Sequence, residues 1–224
     1  MNGDGEIAGY NKGKVEALRT TIDNTYKSVV ETITSEIKTT LVDPMSTAWY
    51  APEAVQEFKD IKTAVENMEK SLKDAYDAYR GWIEQMGQSW AENTGGQSPR
   101  LSAIGEKSSG LNVSGIKNDN GGNVTLDETK AKTVAGQVKE LRNSILKKVQ
   151  SKHQEMEASA AFIGHGQAAA ATACFVKVAD AIGSLMASIS TIGTRLEQYA
   201  KKYKEVGEKV ASEFGKARVS VSSN

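Results

Sequence analysis

The chain has 224 residues, with 28 Lys+Arg against 28 Asp+Glu, a formal net charge of zero, 39% hydrophobic residues and 3 prolines. Balanced charge excludes a bulk basic field for nucleic acid and a polyanionic tail, and so few prolines favour long uninterrupted helices over strands and turns. The one cysteine, Cys174, excludes an internal disulfide and any cysteine-built zinc or iron–sulfur centre.

The first residues, Met1-Asn-Gly-Asp-Gly-Glu-Ile, lack the basic and apolar regions of a cleavable signal peptide. No charge-free run of about 18 apolar residues is present to span a bilayer. The first apolar series is Val15, Leu18, Ile22, Tyr26, Val29, Ile33, Ile37 and Leu41. Its steps of three and four predict one helix with a buried stripe, ended by Asp43-Pro44 because proline disfavours helical backbone at the residue before it. Pro52 suits the first turn of the next helix, and Glu53 suits its positive end. That helix carries Phe58, Ile61, Val65, Met68, Leu72, Tyr76, Tyr79, Ile83, Met86 and Trp90, close to a heptad repeat, and stops at Glu92-Asn-Thr-Gly-Gly.

Residues 93–124 are rich in Gly, Ser and Asn and show no helical period. They read as a connector, a mobile arm or a small hairpin, the last on the alternation of Leu111-Asn-Val-Ser and Asn123-Val-Thr-Leu around Asn118-Asp-Asn-Gly-Gly. Thr125-Leu-Asp-Glu128 is a capping box that opens a third helix, with the stripe Val134, Val138, Leu141, Ile145, Val149, His153, Met156 and Ala160. After Phe162-Ile-Gly-His-Gly comes the longest series: Phe175, Val178, Ile182, Leu185, Ile189, Ile192, Leu196, Tyr199, Tyr203, Val206, Val210 and Phe214. A helix over 168–214 would be roughly 70 Å long, with a frayed tail after Gly215.

The two halves share one plan. Ile22, Tyr26, Val29, Ile33 and Ile37 align with Val134, Val138, Leu141, Ile145 and Val149 at a shift of 112. Ala48-Trp49-Tyr50-Ala51 aligns with Ala161-Phe162-Ile163-Gly164 at a shift of 113, as do Ile61, Val65, Leu72, Tyr76, Tyr79 and Ile83 with Cys174, Val178, Leu185, Ile189, Ile192 and Leu196. An isolated hairpin buries one face only, so two hairpins pack together. The expectation is an all-α fold: two long helical hairpins (1–92 and 125–215) packed as an antiparallel four-helix bundle, with the connector 93–124 and a tail at 216–224.

At the two turns the sequence resembles the WXG family, helical-hairpin proteins of about a hundred residues exported by type VII secretion systems, which carry Trp-x-Gly between two helices and dimerise into a four-helix bundle. The first copy here reads Trp49-Tyr50-Ala51 and the second Phe162-Ile163-Gly164, so each keeps one half of the motif. The resemblance implies a fused tandem with its own partner built in, secreted without a cleaved leader. Its partner would be a protein, either the secretion machinery or a co-secreted helical protein. An aromatic at a hairpin apex can plug the end of a bundle, burying about 150–250 Å², and a small residue two positions later permits the tight turn. The chain departs from the family in lacking its export signal, Tyr-x-x-x-Asp/Glu: four residues after Tyr79, Tyr199 and Tyr203 stand Ile83, Tyr203 and Gly207.

Candidate chemistry is sparse. His153 and His165 are the only histidines, too few for a metal site without a third ligand, and His153 sits on the apolar stripe as a core residue. Cys174 reads as a small buried hydrophobe. Gly105-Glu-Lys-Ser-Ser-Gly110 lacks the closing Gly-Lys-Ser/Thr of a phosphate loop. Acid pairs, Ser–His–Asp sets and cofactor fingerprints do not stand out, so the reading is a non-enzyme without cofactor or metal. Small basic clusters such as Lys147-Lys148 and Lys201-Lys202 are offset by neighbouring Glu, against nucleic-acid binding. The stretch 158–193 is dense in Ala, Ser and Gly with few charges. It reads as the tight centre of the bundle, or alternatively as an arm that enters lipid, as in α-helical pore-forming proteins. The functional expectation is a secreted interaction module whose recognition surface is the far end of the fourth helix, Tyr203, Val206, Val210 and Phe214. The alternatives are a membrane-acting protein and a self-assembling structural protein, with the cytoplasm as the alternative location.

Overall fold

A computed structural model describes residues 12–46, 52–113, 128–164 and 166–221. The chain is all-helical among these residues, with no strand. Helix α1 (Lys12–Ile37) runs through a π-helical turn (Lys38–Val42) into the short α2 (Asp43–Ser46), and α3 (Pro52–Thr94) follows. After the non-helical segment 95–113 come α4 (Glu128–Ala160), a 3-10 turn (Ala161–Ile163) and α5 (Gln167–Val221).

Each long helix buries the stripe its spacing prescribes. On α1 the residues from Val15 to Ile37 in steps of three and four are buried, as are Phe58 to Ile83 on α3, Val138 to Ala160 on α4 and Val178 to Leu196 on α5. The four helices pack in a ring of contacts: α1 on α3 and α4, and α5 on α3 and α4. Contacts between α1 and α4 and between α3 and α5 run in opposite chain directions. Between α1 and α4, Lys148 pairs with Glu36 and Lys152 Nζ donates to Ser28 Oγ at 2.7 Å. Between α3 and α5, Arg195 Nε donates to Glu57 Oε1 at 2.7 Å and Gln167 Nε2 donates to the Tyr79 hydroxyl at 3.1 Å. Glu57 is itself buried, so the Arg195 guanidinium supplies the countercharge that its position requires.

Two expectations are corrected by the backbone. Asp43-Pro44 does not end the first helix: Asp43 keeps helical angles (φ −63°, ψ −45°) and its N–H bonds to the Lys38 carbonyl, five residues back. The wider π turn loosens the backbone where the proline ring would otherwise meet the carbonyl of the preceding turn. Gly215 does not end the last helix, which continues to Val221. A single glycine inside a helix costs only about 1 kcal/mol, and no proline follows to enforce a stop. Over its described length the segment 95–113 forms neither helix nor strand, and it lies against α1 and α3. The hairpin expected over residues 111–126 and the cap at Thr125 fall largely or wholly outside the described residues.

Ile33 on α1 and Ile189 on α5 are both fully buried. Truncation of either to alanine is expected to lower unfolding stability by about 2–5 kcal/mol. The exposed Lys70→Ala should change it by less than about 0.5 kcal/mol. Urea denaturation followed by far-UV circular dichroism checks both.

Candidate functional site

The segment after α3 is a strap laid along the groove between α1 and α3. Pro99, Leu101, Ile104 and Leu111 face inward and are buried, each large apolar side chain contributing about 1.5–3 kcal/mol. The main chain between them is held by charged side chains from both helices. Arg80 Nη1 donates to the Leu101 carbonyl at 2.6 Å. Arg19 donates through Nε to the Ser102 carbonyl at 3.2 Å and through Nη2 to the Ala103 carbonyl at 2.6 Å. The Ile104 N–H then donates to Asp77 Oδ1 at 3.0 Å, and the Gly105 N–H to Asp23 Oδ1 at 2.9 Å. Further along, the Lys107 N–H donates to the Tyr26 hydroxyl at 3.3 Å and the Ser109 N–H to Glu69 Oε1 at 2.8 Å. At Gly110 the backbone adopts φ 61°, which lets the strap bend so that Leu111 returns to the core.

The bonds with Arg80, Asp77, Asp23, Tyr26 and Glu69 are partly buried and those with Arg19 are exposed, and together they pair the main chain of the strap. The carboxylates are tuned for the task. Burial alone would push the Asp23 carboxyl up, but the Lys27 and Gly105 hydrogen bonds and the Lys27 and Arg19 charges outweigh it and hold Asp23 below the usual carboxylate range. Asp77 is held low in the same way, burial being outweighed by Lys73, the Ile104 N–H and Arg80.

The residues singled out from sequence lie elsewhere. Trp49 and Ala51 fall outside the described residues, as does His165. Phe162 is half-buried in the 3-10 turn, with Lys14 Nζ 5.6 Å from its ring centroid. Gly164 takes φ 82°, ψ −131°, a backbone that L side chains rarely adopt, and its N–H closes the turn on the Ala161 carbonyl at 3.2 Å. Tyr203 is anchored to α3 through a 2.9 Å hydrogen bond from its hydroxyl to Glu53 Oε2. Just past it Lys204 pairs with Glu128 of α4, and further on Val206, Val210 and Phe214 are 53%, 48% and 73% exposed. The strap and the α5 end are thus two separate features, and among the described residues the α5 end meets α3 at Glu53, two residues after Ala51.

His153 and Cys174 are both buried between helices. The His153 Nε2–H donates to the Ala171 carbonyl at 2.8 Å, leaving Nδ1 buried without a partner among the described residues. Burial pushes its pKa down, against the opposing pull of the Ala171 carbonyl and Glu157. Burial pushes the Cys174 thiol up to about 12, which makes it inert as a nucleophile. Part of α5 within Gln167–Phe214 is, by length and composition, apolar enough to cross a membrane. The expectation of no such stretch demanded an unbroken charge-free run, and Lys177 and Asp180 punctuate this one. No family model, no curated protein and no solved structure matches the chain.

The residues that hold the strap were not singled out from sequence. Their signal is the placement of Asp23 and Asp77 immediately beside the stripe positions Ile22 and Tyr76, with Leu101, Ile104 and Leu111 spaced along the connector.

Two acid transitions follow. Below its ordinary pKa the unfolded chain protonates His153 while the folded core resists it, so stability should fall as pH drops through the unfolded histidine value near 6.5. His153→Leu should remove that step in urea midpoints between pH 7.5 and 5. Asp23 and Asp77 act in a lower window. Their stabilisation is full above the unfolded carboxylate pKa and is lost as pH falls from about 4 through their depressed folded values. The Ile104 and Gly105 amide resonances should lose their bonded positions in that lower window only, and in Asp23→Asn/Asp77→Asn already at neutral pH.

Proposed function

We propose that the chain is a non-enzymatic interaction protein, its two hairpins forming an antiparallel four-helix bundle that resembles a fused tandem of WXG hairpins. Its recognition surface is the end of α5. The observation that carries this reading is the run Val206, Val210 and Phe214, which keeps the apolar spacing of the buried part of α5 into a region where no described element covers it. A solvated helix needs no such stripe, and contiguous exposed apolar side chains mark partner sites. An amphipathic helix end is read by a helical partner or an apolar groove. In this reading the partner belongs to a type VII secretion machine or is a co-secreted helical protein, and the protein leaves the cell without a cleaved leader.

The second reading, a membrane-acting protein, is favoured by the apolar stretch within Gln167–Phe214. Its stripe from Val178 to Leu196 is already buried in the fold, so membrane action would require the hairpins to separate. Dye release from liposomes would support it.

The deciding experiment compares culture supernatants of the source organism with and without its type VII ATPase. Full-length protein is expected outside the wild type and only inside the mutant. Val206→Ser/Val210→Ser/Phe214→Ser should keep the native unfolding midpoint and remain inside. Retention of the native chain in both strains would overturn export. Export of the triple variant at the native level would move recognition away from the α5 end.

A further inference from the structure

We infer that the groove between α1 and α3 is a peptide-binding site that reads main chain, and that residues 98–111 are its resident occupant, in a place that an extended segment of another protein can take. From Leu101 to Gly105 every residue offers a main-chain group to a charged side chain: three carbonyls to Arg80 and Arg19, two N–H groups to Asp77 and Asp23. Contacts of this kind are independent of the ligand's side chains. Selectivity comes from the inward positions Leu101 and Ile104, which are buried while Ser102 and Ala103 between them are exposed. The next position requires only a small residue. A Cβ built on Gly105 would lie in ordinary contact, 3.6 Å from Asp23 Oδ1. The ligand class is therefore an extended peptide with the pattern Leu-x-x-Ile followed by Gly or Ala.

A hairpin of this plan does not need the clamp in order to pack. At the matching positions of the second half, Arg19 and Asp23 are replaced by Ala131 and Ala135, and Asp77 and Arg80 by Ser190 and Gly193. The second hairpin packs its stripe without them. The four charged residues of the first hairpin serve the bound segment, and the strap is a single layer whose outer residues Arg100, Ser102, Ala103 and Glu106 face solvent. Displacing it would uncover the inner positions that Leu101, Ile104 and Leu111 fill.

The test uses the full chain and a fluorescein-labelled peptide of residues 98–112. Leu101→Asp/Ile104→Asp expels the resident strap. This variant is expected to keep its helical circular dichroism and bind the peptide saturably, at least tenfold more tightly than the native chain, whose groove is filled. Adding Asp23→Asn and Asp77→Asn should weaken binding at least tenfold. A helical variant that fails to bind, or binding indifferent to the two Asn substitutions, would overturn the inference. Should the strap variant lose its helices, native-state hydrogen exchange decides instead. The Ile104 and Gly105 amides of the unaltered chain should exchange at least tenfold faster than the Leu72 and Ile83 amides, the signature of strap opening without unfolding. Equal rates would show that the strap opens only when the whole chain does, and the groove would then be no exchangeable site.

Discussion

Four helices meet at a column of rings. Tyr76 of α3 is fully buried, 6.2 Å by ring centroid from Tyr26 of α1 and 6.3 Å from His153 of α4, and His153 is 5.2 Å from Phe175 of α5. The far end of the column touches the strap, through the Tyr26 hydroxyl and the Lys107 main chain. Each hairpin taken alone would leave one face of these rings in water. Across the hairpins the Tyr76–His153 pair adds about 0.5–1.5 kcal/mol beyond the area effect to the burial of the apolar stripes that pack α1 on α4 and α3 on α5. The column is placed for packing at the expense of hydrogen bonding: the Tyr76 hydroxyl and His153 Nδ1 are both buried without a partner among the described residues. Such groups are costly, and they make the joint between hairpins sensitive to protonation of His153.

The two hairpins share a plan but meet solvent differently. In the first, Arg19, Asp23, Asp77 and Arg80 flank the apolar stripes and would be ordinary surface charges but for the strap that binds across them. In the second, alanine, serine and glycine stand at the same positions. Among the described residues the hydrogen bonds that hold the strap all come from the first hairpin. Small residues also line an open groove between α3 and α5, from Asp60 and Thr63 to Thr191 and Arg195. The asymmetry is a matter of side-chain chemistry at a few positions, laid over a symmetric hydrophobic pattern.

That distinction explains what the sequence reveals. Periodicity reports helices, because a buried stripe such as Ile22, Tyr26, Val29 and Ile33 recurs with the turn of the helix. It reported all four long helices and the buried character of His153 and Cys174. It failed at Pro44, where a π turn absorbed a residue that local rules treat as a stop, and at Gly215, where the helix already formed upstream carries through. It was silent on the strap because an extended segment bound by its main chain needs no repeating side-chain pattern. Leu101, Ile104 and Leu111 are too few and too unevenly spaced to announce a strand, and the residues that bind them lie about 20 to 90 positions away in the chain. The apical residues Phe162 and Gly164 were legible for the opposite reason: a tight turn between helices has strict local demands, and the positive φ at Gly164 is one of them.

The end of α5 poses a question of persistence. A short free helix is marginal in water because its first turn is costly to form. Here that turn is formed inside the fold, and Tyr203 is tied to Glu53 where α3 begins, so the remaining residues only extend an existing helix. Extension alone would be served as well by polar residues. The stripe instead runs on through Tyr199, Tyr203, Val206, Val210 and Phe214 in the same phase as Ile192 and Leu196, which are buried. The face that α5 turns toward its own neighbours is thus continued past the points where they begin. A partner that presents apolar helix faces there would extend the packing by the same geometry, without any rearrangement of the helices already formed.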